Sequence, residues 1–345
     1  MKYFVGADCG GTKSEILIGD ETGKLTGKYI GAGYLEFATD LHAKLQTGSI
    51  DAEKFNSEFI SKYLEQTIKH LDDALAQSNL GLSDVHALFA SMAAINGGDM
   101  QMNFEKDLRG KMSNQNVSVR NDMYGAWRAG TDKYPSGVIA IGTGTNIMFF
   151  DENGSSTSVE GKIKYQAARA LGFRAFMHAC YSAIDLLEPT ILTEHICEFA
   201  KTETLEEAFA KTNYGSDINS LPYHQFVPYV YGAAEKNDRV AEDFVNQTGR
   251  GFAECICAGI EDLGWKDKEI PLVLNGGAFK GKGYVMEKAI KDCLVGCPNL
   301  ILFQAEHEPV YGALMLAYES YNYGTAIQAT DEEIAKFGLK RKIGQ

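Results

Sequence analysis

Three glycine-containing turns, each directly after a predicted strand, are the segments of this chain best suited to bind a phosphate group. They are Gly10-Gly11-Thr12-Lys13, Gly142-Thr143-Gly144-Thr145 and Asn275-Gly276-Gly277-Ala278. A glycine turn at a strand end lets backbone N–H groups point at a phosphate, because no Cβ stands in the way. Taken alone, each turn is equally consistent with an ordinary connection, a hairpin in the first two cases and a strand-to-helix turn in the third.

The side chains around these turns add further chemistry. Thr12 offers a hydroxyl donor and Lys13 a cation, whereas the second turn has the hydroxyl groups of Thr143 and Thr145 instead of a lysine. Asp8 precedes the first turn, and its carboxylate cannot itself hold a phosphate. Such a carboxylate makes sense if Mg²⁺ lies between it and the phosphates, usually through waters. The third turn could let an adenine ring lie against bare backbone.

The elements that must position these turns suggest a duplicated α/β unit. A strand, a Gly/Thr turn, a second strand and an acidic turn occur at residues 3–23 and again at residues 138–154. Apolar residues at helical spacing predict a long helix over residues 53–77, and a final helix begins at Glu308-Pro309. Further strands are predicted at residues 25–30, 85–92, 117–120, 271–274 and 300–303, and further helices from residue 124 and at 165–187, 191–201, 205–210, 240–263 and 284–294. The polar tail after Gly324 is expected to be peripheral.

Composition limits the classes of function. The chain has 345 residues, enough for two domains, and 45% of them are hydrophobic. A formal net charge of −13 argues against nucleic acid or an anionic membrane as the main partner. No apolar run is long enough to span a membrane and no apolar signal core precedes Asp8, so we expect a cytoplasmic protein. The seven cysteines suit reduced thiols, and Cys255/Cys257 and Cys293/Cys297 are interpreted as small buried residues rather than a zinc site.

In order and spacing, the three turns resemble the motifs of the sugar kinase, Hsp70 and actin superfamily. Asp8-x-Gly10-Gly11-Thr12-Lys13 resembles its first phosphate motif, residues 137–146 the second, and residues 272–279 its adenosine motif. Within the superfamily the chain is most similar to the BadF/BadG/BcrA/BcrD-type ATPase family, which includes N-acetylglucosamine and glucosamine kinases. This resemblance spans roughly residues 3–320 and is carried by Asn121-Asp122-x-x-Gly125-Ala126, Gly276-Gly277-Ala278-Phe279-Lys280 and Pro309-Val310-Tyr311-Gly312-Ala313.

The resemblance implies an α/β fold of two ribonuclease H-like, actin-like ATPase domains with a nucleotide cleft between them. Residues 1–122 would form the N-terminal domain with the first phosphate motif, completed by a C-terminal helix over residues 309–322. Residues 123–308 would form the C-terminal domain with the second phosphate motif and the adenosine motif.

The resemblance also implies ATP and Mg²⁺ as cofactors, with Asp8 as the metal residue and Asp122 as the catalytic base. The residues expected to bind nucleotide are Gly10, Gly11, Thr12, Lys13, Gly142, Thr143, Gly144, Thr145, Gly276, Gly277, Phe279 and Lys280. Those expected to bind substrate are Asn96, Gly97, Asn121, Asp122 and Thr143. Structural alternatives stay open for four of them: Asp122 as a helix N-cap, Asn121 as a turn residue, and Asn96 and Gly97 as part of a loop that Asp99 caps before the next helix.

The chain departs from the family pattern after the second phosphate motif. Sugar kinases of the family usually carry a Gly-Trp-Gly stretch and then Gly-Asp-Glu-Gly-Ser, and residues 160–173 contain neither. Arg169 and Arg174 stand there instead, and they could bind an anionic group or be solvated helix charges with packed stems. Cys9, inside the first phosphate motif, is either a thiol of lowered pKa or simply a small tolerated residue.

The expected function is an ATP-dependent kinase that phosphorylates a hydroxyl of a hexosamine-like sugar. The partner would be that small molecule, without nucleic acid or membrane, and a homodimer is compatible with the family. The alternative is a non-catalytic nucleotide- or sugar-binding regulator, or an ATPase without sugar kinase activity. The family's dehydratase-activating ATPases are disfavoured, because they need cysteines flanking the second phosphate motif and no cysteine lies between Cys9 and Cys180.

Overall fold

The computed structural model describes residues 1–142, 144–159, 168–321 and 329–341. The chain forms two compact units, of which the first combines Met1–Asp132 with Ala305–Arg341 and the second contains Lys133–Gln304. Within the described residues, no helix combines the length and the hydropathy that a membrane crossing requires.

The first unit is a five-stranded sheet with helices on both faces. Its strands are β1 (Tyr3–Cys9), β2 (Lys13–Asp20), β3 (Leu25–Ala32), β4 (Val85–Met92) and β5 (Val117–Asn121). Its helices are α1 (Leu35–Gln46), α2 (Ala52–Gln77), α3 (Gly98–Met112), α4 (Met123–Arg128), α11 (Pro309–Glu319) and α12 (Asp331–Lys336). The strand order is β3-β2-β1-β4-β5, with β2 antiparallel to β1 and β3, and with β1, β4 and β5 parallel.

The alternation of side chains along β1 assigns its two faces. Val5, Ala7 and Cys9 join the apolar core that α2 completes. Phe4, Gly6 and Asp8 therefore lie on the opposite face, where Phe4 stacks on Tyr318 of α11 with ring centroids 4.2 Å apart. Asp8 thus ends the strand face that α11 covers.

Helix α11 approaches its neighbours more closely than any side chain would allow. A Cβ added to Gly6 of β1 would lie 2.2 Å from the backbone nitrogen of Leu314. Where α11 crosses α4, a Cβ on Gly312 would lie 2.1 Å from the carbonyl oxygen of Gly125. Glycine at these positions lets one helix hold both the strand that carries Asp8 and the helix that begins after Asp122.

The second unit repeats the strand order of the first. Its strands are β6 (Ser136–Ile141), β7 (Thr145–Phe150), β8 (Ser156–Ser158), β9 (Ile270–Asn275) and β10 (Leu300–Gln304). Its helices are α5 (Ala168–Ser182), α6 (Ile196–Ala200), α7 (Leu205–Lys211), α8 (Val227–Glu235), α9 (Arg239–Asp262) and α10 (Tyr284–Lys291). The order β10-β9-β6-β7-β8 matches that of the first unit strand for strand, with the antiparallel pairs β6/β7 and β7/β8. This ribonuclease H-like order in both units confirms the predicted α/β duplication.

The C-terminal segment is a correction to the sequence prediction. We expected a peripheral tail, but Leu339 is fully buried and Arg341 is 6% exposed. The backbone N–H of Glu308 donates to the carbonyl of Leu339 over 2.8 Å, and the N–H of Arg341 donates to that of Glu306 over 2.9 Å. Leu339 and Arg341 are buried because residues 306–308 offer the backbone of this segment an edge with which to pair.

Candidate active site

Backbone hydrogen bonds fix the conformation of the turn Gly10-Gly11-Thr12-Lys13, which resembles the first phosphate motif. The N–H of Gly10 donates to the carbonyl of Lys13 over 2.9 Å, which closes the turn between β1 and β2. The carbonyl oxygens of Gly10, Gly11 and Thr12 accept hydrogen bonds from the N–H groups of residues 34, 35 and 33, respectively. Across the described ranges, the N–H groups of Gly11 and Thr12 have no backbone acceptor. The turn therefore presents donors while its acceptors are satisfied, which suits a phosphate.

The start of α1 supports this turn, and sequence reasoning missed that helix. A Cβ on Gly33 would lie 2.3 Å from the carbonyl oxygen of Gly11, so the chain can pass this close only as glycine. The available signal was Gly31-x-Gly33 directly before an apolar helical pattern at Tyr34, Leu35 and Phe37.

Asp8 lies in an acidic environment at the end of β1. Burial raises its pKa to about 8, and the charges of Asp122 and Glu15 add to this increase, whereas Lys13 opposes it. Glu308, directly before α11, contributes further negative charge, a role that sequence reasoning missed. The protein alone therefore stabilises the ionised form of Asp8 poorly, because burial and each neighbouring acid disfavour its ionisation.

This donor chemistry fits Mg²⁺ bound mainly through waters and phosphates. Carboxylate oxygens are the ligands that Mg²⁺ prefers, and it usually keeps several waters and takes one or two protein carboxylates. Over the described part of the chain, no three His, Cys, Asp or Glu side chains converge on one point, so no all-protein metal cage forms there. Asp8 is the residue that would hold the ion, and the ion would neutralise phosphate charge.

Cys9 is an inert buried thiol. Burial, assisted by the charge of Asp8, raises the pKa of Cys9 to about 12. The hydroxyl of Tyr63 donates to the carbonyl of Cys9 over 2.8 Å, and the N–H of Ala93 donates to the same oxygen over 2.9 Å. The alternative of a thiol with a lowered pKa is therefore wrong, because the side chain faces the apolar core and not the phosphate turn.

Four of the five predicted substrate residues, Asn96, Gly97, Asn121 and Asp122, follow the carboxyl ends of β4 and β5, whereas Thr143 lies outside the described residues. The amide nitrogen of Asn121 donates to the side-chain oxygen of Asn96 over 2.8 Å, and its own side-chain oxygen accepts from the N–H of Met123 over 3.0 Å. Gly97 has a φ of +94° and is the N-cap residue of α3. Asn121 is thus both a turn residue and a partner of Asn96.

Asp122 stands at the N-cap position of α4, but its side chain does not cap the helix. An N-cap side chain accepts from the second or third N–H of its helix, and the third, that of Gly125, donates to Ser91, so the N-cap interpretation of the Asp122 carboxylate is wrong. Ser91 secures this turn: its hydroxyl accepts from the N–H of Gly125 over 2.8 Å and lies 3.3 Å from the carbonyl of Asp122. The carboxylate of Asp122 is close enough to Asp8 to raise its pKa.

In the second unit, the two remaining turns lie side by side. The N–H of Gly142 donates to the carbonyl of Gly144 over 2.8 Å at the end of β6; Thr143 lies outside the described residues. Gly276 has a φ of +98°, and a Cβ there would lie 2.3 Å from the carbonyl oxygen of Ile141, the last residue of β6. The two turns that resemble the second phosphate motif and the adenosine motif are therefore adjacent.

The other predicted nucleotide residues of this unit differ in exposure. Gly277 is exposed, and a Cβ there would meet no atom within 4 Å. Lys280 is also exposed, whereas the Phe279 ring is fully buried in the core of the unit. Thr145 begins β7, and its hydroxyl is buried without a partner among the described residues. Any contact of Phe279 with a ligand would therefore involve its backbone.

The sequence profile of the BadF/BadG/BcrA/BcrD ATPase family matches residues 5–317. The chain belongs to this family. The match includes all three turns and most of α11, and the repeated ribonuclease H-like unit is the two-lobe, actin-like ATPase fold.

Relatives of the chain include sugar kinases. The N-acetyl-D-glucosamine kinase of Dictyostelium discoideum is 23% identical over 331 residues, covering 92% of this chain and 98% of that protein. The N-acetylmuramic acid/N-acetylglucosamine kinase of Clostridium acetobutylicum is 21% identical over 321 residues, with the same coverage. The solved structure of a Chromobacterium violaceum protein, provisionally described as an N-acetylglucosamine kinase, matches with a TM-score of 0.65 at 18% identity and covers 92% of this chain and 99% of that one. This structural likeness shows the fold.

The two arginines that replace the usual family motif differ in their surroundings. Arg174 donates to the hydroxyl of Thr248 over 3.0 Å, lies 5.8 Å from the ring centroid of Phe244, and has a pKa lowered by burial. Arg169 donates to the side chain of Asn219. Residues 160–167, where the family motif would begin, lie outside the described residues.

Two of the four paired cysteines contact each other. The thiol of Cys297 faces that of Cys257, which joins α9 to the segment before β10. Cys255 and Cys293 are partly buried against the same core, which fits their interpretation as small packing residues.

Proposed function

We propose that this chain is an ATP-dependent kinase that transfers the γ-phosphoryl group to a hydroxyl of a hexosamine-like sugar. The observation that carries the proposal is the placement of Asp122. Its carboxylate is not used as a helix cap, it influences Asp8 electrostatically, and it follows the Asn96–Asn121 pair directly. The family and the sugar kinases among the relatives support the same class of reaction.

In the proposed reaction, Asp122 orients the sugar hydroxyl and accepts its proton as the phosphoryl group transfers. Asn96 and Asn121 supply amide groups to hydroxyls of the sugar, and the φ of Gly97 lets the loop approach the substrate. Most of the rate enhancement then comes from positioning and charge neutralisation, because phosphoryl transfer needs little covalent help from the protein.

The nucleotide would be held mainly by backbone, with Lys13 in the first unit and Lys280 in the second. In the first unit, the N–H groups of Gly11 and Thr12 and the ammonium of Lys13 bind phosphate oxygens, and Asp8 holds Mg²⁺. The second unit contributes its two adjacent turns, Gly142, Thr143, Gly144 and Thr145, and Gly276, Gly277, the backbone of Phe279 and Lys280. Mg²⁺, when bound, neutralises charge on the transferring phosphoryl group.

The test is coupled ADP release from ATP-Mg²⁺ with a panel of sugars. The panel contains N-acetylglucosamine, glucosamine, N-acetylmannosamine, N-acetylmuramic acid and glucose, each run with wild type and with Asp122→Asn. We expect turnover with at least one amino sugar and a loss on the order of 10² to 10⁴-fold in kcat for Asp122→Asn. The matched control is Asp107→Asn, an exposed aspartate of α3 in the same unit, which should keep wild-type turnover.

Two results would contradict the proposal. If Asp122→Asn kept turnover within a few fold of wild type, Asp122 would not be the base. If ATP bound and no sugar gave turnover above background, the altered segment 160–173 would be the place where substrate binding was lost, and the regulator alternative would be favoured.

A further inference from the structure

Glu15 is a buried carboxylate next to the phosphate turn that the proposed reaction does not use. Its side chain is 2% exposed and forms an ion pair with Lys13, the last residue of the turn. The second oxygen of Glu15 lies 3.0 Å from the ammonium of Lys28 on β3, whose side chain is 10% exposed. Glu15 therefore joins the turn to the third strand of the sheet.

Lys28 extends this chain of contacts to the C-terminal segment, residues 329–341. Its ammonium donates to the carbonyl of Phe337, directly after α12, over 2.9 Å. The segment is in turn fixed to residues 306–308 by the backbone hydrogen bonds of Leu339 and Arg341. A cavity of about 480 Å³ beside the turn is lined by Lys13, Glu15 and Lys28 together with residues 335–338.

Stability alone does not account for a glutamate at this position. Glu15 is the cross-strand partner of Asp8, and like charges directly opposite each other in a sheet are destabilising. Burying an ion pair is often no better than burying an apolar side chain of similar volume. The pairing does, however, act on Lys13, which has a flexible stem and a side chain that is 48% exposed.

We propose that Glu15 is a positioning residue that holds the ammonium of Lys13 at the phosphate turn, and that Lys28 and the C-terminal segment hold Glu15. This inference rests on the proposed nucleotide-binding role of Lys13. A lysine ammonium has three donors, so Lys13 can keep its bond to Glu15 while two donors remain for phosphate oxygens. Without Glu15, the lysine must lose its rotamer freedom each time ATP binds.

The first experiment measures the Kd of Mg²⁺-ATP by calorimetry without sugar, in wild type and Glu15→Gln. We expect Kd to rise about tenfold, the scale set by ordering one lysine side chain. The control is Glu105→Gln, because Glu105 also pairs with two cations of this unit, Arg109 at 2.7 Å and Arg120 at 3.2 Å. The Glu105→Gln substitution should change the free energy of unfolding without changing the Kd of Mg²⁺-ATP.

A double-mutant cycle separates positioning from general damage. In a Lys13→Met background, Glu15→Gln should add no further loss of ATP affinity, because the residue through which Glu15 acts is gone. Lys28→Met leaves the Glu15–Lys13 pair in place and removes its support, so we expect a smaller rise in Kd, about threefold. This variant also keeps the idea testable if Glu15→Gln does not fold.

Three outcomes would overturn the inference. They are an unchanged or lower Kd in Glu15→Gln, an equal loss with and without Lys13, and an equal loss in Glu105→Gln. Because the measurement is ATP binding without sugar, it does not depend on turnover. A failure of the kinase proposal would appear instead as normal ATP binding without phosphorylation of any sugar.

Discussion

Replacing Gly312 by alanine should damage both stability and activity, because Gly312 is where α11 crosses α4. An added Cβ would lie 2.1 Å from the carbonyl oxygen of Gly125 and 2.5 Å from the nitrogen of Ala129. Both atoms belong to helix backbone and cannot rotate away. A Cβ contact needs at least 3.0 Å, so the two helices must separate by on the order of 1 Å.

The size of the effect follows from this separation. Overpacking of this kind typically costs about 1–3 kcal/mol, and the upper end applies because no flexible side chain can yield. The better helix propensity of alanine offsets up to about 1 kcal/mol, which leaves a loss of about 2 kcal/mol in the free energy of unfolding. Helix α4 begins directly after Asp122, and a displacement of about 1 Å at a reacting group can lower the rate about 10²-fold.

Urea unfolding and kcat/KM with the best sugar of the panel would measure the two effects. The control is Gly110→Ala in α3, where an added Cβ meets no atom within 4 Å, so alanine should stabilise the protein by about 0.5–1 kcal/mol. Wild-type stability in Gly312→Ala would refute the close crossing of the two helices. A loss of stability with unchanged kcat/KM would refute the idea that α4 positions Asp122.

Two further predictions concern titrating groups of the first unit. Because burial raises the pKa of Cys9 to about 12, its thiol should resist alkylation at pH 8 in the native protein, whereas the partly exposed Cys197 should react. Peptide mass spectrometry after timed labelling would measure both reactions. Equal labelling of the two cysteines would contradict the prediction. Burial alone would raise the pKa of Asp20, but hydrogen bonds from Thr22 and from the N–H of Lys24 outweigh it and lower the pKa. Asp20→Ala should therefore cost on the order of 2 kcal/mol at pH 7. A carboxyl whose pKa is lowered in the folded state stabilises the fold only at pH values above its pKa in the unfolded chain. The stability difference between wild type and Asp20→Ala should therefore shrink as the pH of the unfolding measurement falls below about 4. A constant difference down to about pH 2 would count against the hydrogen bonds described.

The hydrophobic pattern predicted most of the helices and strands, because the spacing of the buried residues within each element is visible in its own sequence. Strand β4 was predicted with its observed bounds, Val85–Met92, and helix α2 to within one residue at its start. The meeting of Asp8, residues 93–97 and Asp122 was predictable too, because the carboxyl ends of the parallel strands β1, β4 and β5 lie at one edge of the sheet.

Contacts distant in sequence account for what the pattern missed. The start of helix α1 supports the phosphate turn through backbone hydrogen bonds from residues 33–35. The periodicity of hydrophobic residues cannot predict such bonds. The C-terminal segment looks like a polar tail, and only its pairing with residues 306–308 buries Leu339 and Arg341. The charge of Glu308 near Asp8 likewise depends on where α11 enters the fold.

Because the first unit is divided into Met1–Asp132 and Ala305–Arg341, its two parts are synthesised at different times. The face of β1 that carries Phe4 and Gly6 has no cover until α11 leaves the ribosome, about 180 residues after Asp132. At roughly 5–20 residues per second, this delay lasts on the order of 10 to 35 seconds. The last strand of the second unit, β10, ends at Gln304, so that unit has all of its strands before α11 is made. We therefore expect the half of the molecule that is synthesised first to be the last to finish folding.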